Sequence, residues 1–164
     1  MAEKKTPNKG YQQLKSDLAE ERIGQVYIFH GEESYLREYY LGELKKKLVP
    51  AGFEEFNFHK LGGKGLSMQE LADAVEAMPM MAERTLVTVT DCDLFKLPDE
   101  QRTALLTLLD DFPEYCCLVF VYDQLEYKPN KTYKKLCEAL DKHALAVKFE
   151  AQGRSDLINW IERR

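Results

Sequence analysis

The sequence predicts an α/β fold: a five-stranded, mostly parallel sheet with helices on both faces. Three observations predict it. Short apolar, β-rich runs recur at "QVYIFH", "EFNFHK", "RTLVTVT", "CCLVFVYD" and "LAVKFE". Each consecutive pair is separated by a helix-like segment, which is what right-handed crossovers between parallel strands require. The 164 residues suffice for one compact core, burying roughly two thirds of the unfolded surface.

Each element has its own local signal. Residues 1–10 are polar, show no apolar periodicity and are expected to form a mobile tail ahead of an α/β domain over residues 11–152. Tyr11, Leu14, Leu18 and Ile23 are spaced for a short leading helix that stops by Gly24. After the first strand, "SYLREYYLGELKKKLV" reads as a helix with Ser34 as its cap, and after the second, "LSMQELADAVEAM" reads as one capped by Ser67. Pro98 and an acidic first turn open "PDEQRTALLTLLDDF", whose Leu105, Leu108, Leu109 and Phe112 share a face. In "KTYKKLCEALDKH", Tyr133, Leu136 and Leu140 point inward. "GRSDLINWIERR" starts an amphipathic helix with Leu157, Trp160 and Ile161 on one side, so residues 153–164 are expected to begin a second, helical domain of a longer protein.

Composition narrows the function. With 45% hydrophobic and 31% charged residues the chain is an ordinary globular sequence, and a net charge of −5 argues against a protein whose main task is coating nucleic acid. The start of the chain lacks a signal-peptide core and no run approaches a membrane span, so a cytoplasmic protein without a membrane partner is expected. Cys92, Cys116, Cys117 and Cys137 lack the spacing of a zinc or redox motif and read as reduced and structural. His30, His59 and His143 form no ligand motif. Neither a metal site nor a catalytic residue is expected.

The segment "VYIFHGEESYLRE" has the strand, loop and helix layout of a phosphate-binding loop. A working loop reads G-x-x-x-x-G-K-[ST], because glycine lets backbone amides wrap the phosphates, lysine neutralises them and the hydroxyl holds magnesium. Here those positions are Gly31, Leu36, Arg37 and Glu38. Only the first glycine remains, and Glu32 and Glu33 add negative charge to the loop. Asp91 ends "TLVTVTD" where a P-loop ATPase carries its magnesium-holding aspartate, but Cys92 follows where such an enzyme usually places the glutamate that activates water. No bound cofactor is expected. "LGGKGLS" at 61–67 contains no G-K-[ST] and reads as a connecting loop.

"VYIFHGEESYLRE", "FNFHKL", "AMPMMAERTLVTVTDCD" and the final "WIERR" together resemble the N-terminal domain of the delta subunit of bacterial DNA polymerase III. The resemblance runs from about Gln25 to Arg164 and implies a P-loop NTPase or AAA+-like fold with a degenerate nucleotide site. It further implies that the closing helix begins a lid domain. Delta is a clamp-loader subunit that binds the ring-shaped beta sliding clamp and holds it open for loading onto DNA. The resemblance therefore implies partnership with gamma/tau and delta prime subunits, with primed DNA engaged indirectly. It implies membership of a DNA-directed DNA polymerase holoenzyme, a nucleotidyltransferase, without a reaction of this subunit's own.

In this family the clamp contact is an apolar pair just before the arginine that precedes the third strand, a position held here by Met80 and Met81 after Pro79. Many relatives carry a leucine and an aromatic residue instead. Methionine's unbranched thioether adapts to a partner's pocket. The residues alone leave open whether Met78, Met80 and Met81 fill the domain's own core. Lys128, Lys131, Lys134 and Lys135 form a basic cluster that reads either as facing DNA in the assembled loader or as a solvated helix face. The competing functional reading is a divergent P-loop ATPase or phosphotransferase in which Arg37 and Asp91 still support a nucleotide.

Overall fold

The computed structural model describes residues 9–150 of the chain. In order, the elements are α1 (Lys9–Ala19), β1 (Val26–His30), α2 (Ser34–Leu48), α3 (Glu54–Asn57), β2 (Phe58–Gly62), α4 (Met68–Glu76), β3 (Thr85–Thr90), a 3-10 turn (Leu94–Lys96), α5 (Asp99–Asp110), β4 (Cys116–Val121), α6 (Lys134–His143) and β5 (Ala144–Lys148). The sheet order is β2-β3-β4-β1-β5, and every neighbouring pair is parallel.

Alternation along the central strands divides the core in two, because successive side chains point to opposite faces. Val26, Ile28, Val87, Val89, Leu118 and Phe120 face a layer containing Leu71 and Val75 of α4, Leu105 and Leu109 of α5, and Leu136 and Leu140 of α6. Tyr27, Phe29, Leu86, Val119 and Val121 face Leu14 and Leu18 of α1 and Leu36, Tyr40 and Leu44 of α2. β4 is buried along its whole length. That is the pattern of a strand covered on both sides.

Four local expectations need correction. Helix α1 ends at Ala19, so Ile23 lies beyond it rather than on its apolar face. Helix α1 begins at Lys9, with Gly10 buried, so residues 9 and 10 belong to the domain rather than to a tail. Ser34 is the first residue of α2 rather than its cap; Glu33 holds the capping position without a side-chain hydrogen bond. In "EFNFHK", Glu55 to Asn57 are helical and the strand runs from Phe58 to Gly62. Ser67 does cap α4, in a reciprocal box with Glu70. Residues 1–8 of the expected tail and residues 153–164, assigned to a lid helix, lie outside the described residues.

The connection "LGGKGLS" has a structural reason for glycine. The Gly63 N–H donates to the Thr90 carbonyl at 2.7 Å, and a Cβ at Gly63 would stand 2.4 Å from the Asp91 carbonyl oxygen. Backbone packs on backbone there.

Candidate functional site

Parallel α/β sheets bind ligands outside the carboxyl ends of their strands. At that end β1 runs into Gly31, whose φ is 113° and whose Cβ, if present, would stand 2.4 Å from the Phe149 carbonyl oxygen. Only glycine fits this position. The Glu33 N–H donates to that same carbonyl at 3.0 Å, and the Phe149 N–H donates to the His30 carbonyl at 2.7 Å. The chain following β5 thus occupies the space against which the turn closes. Because α2 starts at Ser34, Leu36, Arg37 and Glu38 lie within the helix, Leu36 buried in the core and Glu38 exposed.

Arg37 is only 2% exposed. Its Nη1 donates to the Gly31 carbonyl at 2.8 Å and its Nη2 to an Asp123 carboxylate oxygen at 2.5 Å, while its Nε is buried without an acceptor. Asp91, at the end of β3, adopts a left-handed φ of 59°. Its Oδ1 accepts from the backbone N–H groups of Asp123, Gln124 and Leu125 at 2.8, 3.0 and 3.1 Å. Three strand ends are thereby joined: Gly31 after β1, Asp91 after β3 and Asp123 after β4.

This donor set does not fit a magnesium nucleotide. The cation at the lysine position is already paired with Asp123, and the aspartate at the metal position is spent on three amides. One cavity at this end, about 470 Å³, is bordered by Glu32, Asp123, Glu126 and Glu150 as well as Lys148. That excess of carboxylates repels phosphate. His30 borders the same cavity and packs on the Tyr127 ring with centroids 4.9 Å apart. Burial, assisted by the positive charge of Lys148, pushes its imidazole pKa down to about 4, so it is neutral near pH 7.

The second candidate region lies at the opposite end of the sheet, on the segment leading into β3. α4 ends at Glu76, and Pro79 follows where the helix cannot continue. Met78, Met80 and Met81 are 72%, 47% and 74% exposed, which excludes a place in this domain's core. The segment has neither helix nor strand, yet it is tied at several points. The Tyr115 hydroxyl donates to the Glu76 carbonyl at 2.6 Å. Fully buried Asn57 accepts from the Met80 N–H through Oδ1 at 2.7 Å and donates to the Met80 carbonyl through Nδ2 at 2.6 Å. Arg84 donates to the Ile23 and Gly24 carbonyls at 2.6 and 2.8 Å and to the Cys116 carbonyl at 3.2 Å. Between these ties Met81 holds a left-handed φ of 57°, a conformation that costs about 1 kcal/mol for a non-glycine residue.

Lys128, Lys131, Lys134 and Lys135 are all exposed, in the connection after β4 and the first turn of α6. Lys128 pairs with Glu126 at 3.4 Å, an exposed contact worth little. The cysteines are free thiols, and burial raises Cys92 and Cys116 to about 11 and Cys117 to about 12, the wrong direction for a nucleophile. Among the described residues, no group of three His, Cys, Asp or Glu side chains is arranged to hold a metal ion, and no helix is long and apolar enough to cross a membrane.

Sequence reasoning located Gly31, Arg37, Asp91 and the methionines but missed Asp123, Asn57 and the three-carbonyl grip of Arg84. Asp123 ends the apolar run "CCLVFVYD", the only cue to it; Asn57 sits unmarked inside a strand-like run.

A β2-β3-β4-β1-β5 parallel sheet, with a strand, glycine turn and helix at its central β1, defines an AAA+-like α/β module whose cradle is filled by its own side chains. The DNA polymerase III, delta subunit family matches residues 27–150, and the chain belongs to that family. The fold is similar to that of the Bacillus subtilis DNA clamp loader delta protein, with a TM-score of 0.74 at 21% identity over 92% of this chain and 45% of that one. A Thermotoga maritima DNA polymerase III gamma subunit-related protein gives 0.57 at 16% identity, covering 93% of this chain and 50% of its own. A RuvB variant of the same organism gives 0.50 at 13%, covering 94% and 47%. The chain thus spans about half the length of these solved structures. No curated protein matches it.

Proposed function

We propose that the protein acts in the cytoplasm as the delta-type subunit of a clamp loader. It binds the beta sliding clamp through Met80 and Met81 and holds the ring open for loading onto DNA, in an assembly with gamma/tau and delta prime subunits in which neighbouring subunits bind ATP. The observation that carries this reading is the exposure of both methionines on a segment tied down by hydrogen bonds of Arg84, Tyr115 and the buried Asn57. Exposed apolar side chains on a fixed backbone suit an interface, since they gain by burial without first losing loop entropy.

The test is titration of the organism's sliding clamp against the parent protein and a Met80→Ala/Met81→Ala variant. Full burial of a methionine is worth about 1.5–3 kcal/mol, and these two retain 47% and 74% of their exposure, so the pair supplies about 3 kcal/mol, or a loss of affinity of about a hundredfold. Unaltered binding by a folded variant removes Met80 and Met81 from the interface. Failure of the parent to bind removes the clamp-binding role.

The ATPase or phosphotransferase reading is disfavoured by the pairing of Arg37 with Asp123 and of Asp91 with three amides. Saturable magnesium-ATP binding would restore it. We propose that Lys128, Lys131, Lys134 and Lys135, all exposed, face DNA in the assembled loader rather than forming only a solvated helix face. Their collective replacement by glutamine is expected to reduce the salt dependence of loading onto primed DNA.

A further inference from the structure

Asn57 is fully buried at the end of α3, yet its carboxamide serves a segment 23 residues further along. Both polar atoms reach the Met80 backbone: Oδ1 accepts from the N–H at 2.7 Å, and Nδ2 donates to the carbonyl at 2.6 Å. Nδ2 also donates to the Phe53 carbonyl at 3.2 Å, which holds the carboxamide against its own helix. Such a two-point tie fixes the orientation of the backbone as well as its position. A neutral carboxamide presents a donor and an acceptor side by side, whereas an ionised carboxylate only accepts and an aliphatic side chain does neither.

The stretch from Ala77 to Arg84 has no ladder or helical hydrogen bonds of its own. Its shape therefore depends on side-chain hydrogen bonds. Tyr115 and Arg84 secure its two ends, and Asn57 secures its middle, immediately before the left-handed Met81.

We propose that Asn57 is a positioning residue for partner binding, holding the Met80 peptide so that Met80 and Met81 stand ready in the free protein. This role rests on the reading of those methionines as the clamp contact. The apparent dissociation constant of a site equals its intrinsic value divided by the fraction of molecules in the competent conformation. A loop released by loss of Asn57 and competent one tenth of the time binds about tenfold more weakly.

The experiment titrates the organism's sliding clamp against the parent, Asn57→Ala, Met80→Ala/Met81→Ala and the triple variant, with melting curves for each and amide exchange at Met80. The expected results are about a tenfold loss for Asn57→Ala and no further loss when that change is added to the double methionine variant. Such non-additivity marks action through the methionines; a merely structural role lowers the melting temperature and adds to the methionine effect. Asn57→Asp provides a second check. Its clamp affinity, relative to the parent's, should rise as pH falls and protonation restores the donor to the Met80 carbonyl.

Parental affinity in a folded Asn57→Ala variant, alongside weak binding by the methionine variant, overturns the positioning role alone. Parental affinity in the methionine variant overturns the contact reading and this role with it. Should the Asn57 variants not fold, the parent decides: slow exchange at the Met80 amide is expected, and exchange at the rate of a free loop amide refutes the proposal.

Discussion

Removing Asp123 should damage the protein more than removing the arginine it pairs with. Arg37 is 2% exposed on its side chain, whereas Asp123 is 40% exposed. In an Asp123→Ala variant the guanidinium stays charged, because arginine does not deprotonate, and keeps the Gly31 carbonyl as its acceptor. Stranding a buried charge costs about 3–5 kcal/mol, and water entering from the half-exposed aspartate position places this case near the lower end, about 3 kcal/mol. In Arg37→Met the aspartate left behind is solvated, and the methionine fills apolar space. Two charge-assisted hydrogen bonds are lost, but one was to a partly hydrated partner, so the cost is about 1–2 kcal/mol.

Urea denaturation of the two single variants and the double variant measures both costs and their coupling. The double variant is expected to resemble Arg37→Met, since removal of the cation leaves nothing for the aspartate to neutralise. An Arg37→Met cost equal to or greater than that of Asp123→Ala would refute the burial argument. The same samples report on the cradle: millimolar magnesium-ATP should leave the parent's melting temperature unchanged, since a ligand that binds the native state raises it.

Two further predictions concern single residues. Met81→Gly relieves a left-handed φ of 57° at a cost in unfolded-state entropy, so stability should rise by about 0.5 kcal/mol while clamp affinity falls; a destabilised variant refutes the strain assignment. His30 has a folded pKa of about 4 against an ordinary 6.5, so its contribution is complete above pH 6.5 and is lost as pH falls towards 4, where the unfolded chain binds the proton first. His30→Gln should flatten the fall in urea midpoint between about pH 7 and about pH 5; equal slopes in parent and variant show that His30 is not held neutral by burial.

The elements legible in the sequence are those whose cause is local. β1, β3 and β4 announce themselves as apolar runs because they are buried, and Ser67 announces α4 because its capping partner Glu70 is three residues away. Ser34 lacks that partner, since Arg37 stands three residues on, and α2 begins one residue earlier than a serine cap allows, with Glu33 bonded to Phe149 after β5. The strand predicted at "EFNFHK" begins late because Phe53 starts a helical turn whose last residue, Asn57, is needed facing inward. The site was half legible. Departures from a phosphate-binding pattern can be counted in one stretch, but what replaced the phosphate cannot, since Arg37 and Asp123 are 86 residues apart and Asp91 and Leu125 are 34 apart.

Because all strands run the same way, the methionine segment before β3 and the Arg37 network beyond the strand ends lie at opposite poles. The six residues of β3 and the turns flanking them separate the two by about 20 Å. Attachment chemistry is therefore straightforward: a fluorophore, spin label or surface tether placed through cysteine at Glu32 or Gln124 stands clear of anything docked at Met80 and Met81. With the partly exposed Cys137 replaced by serine, immobilisation at that pole gives a uniformly oriented layer with the methionines facing the bulk solution.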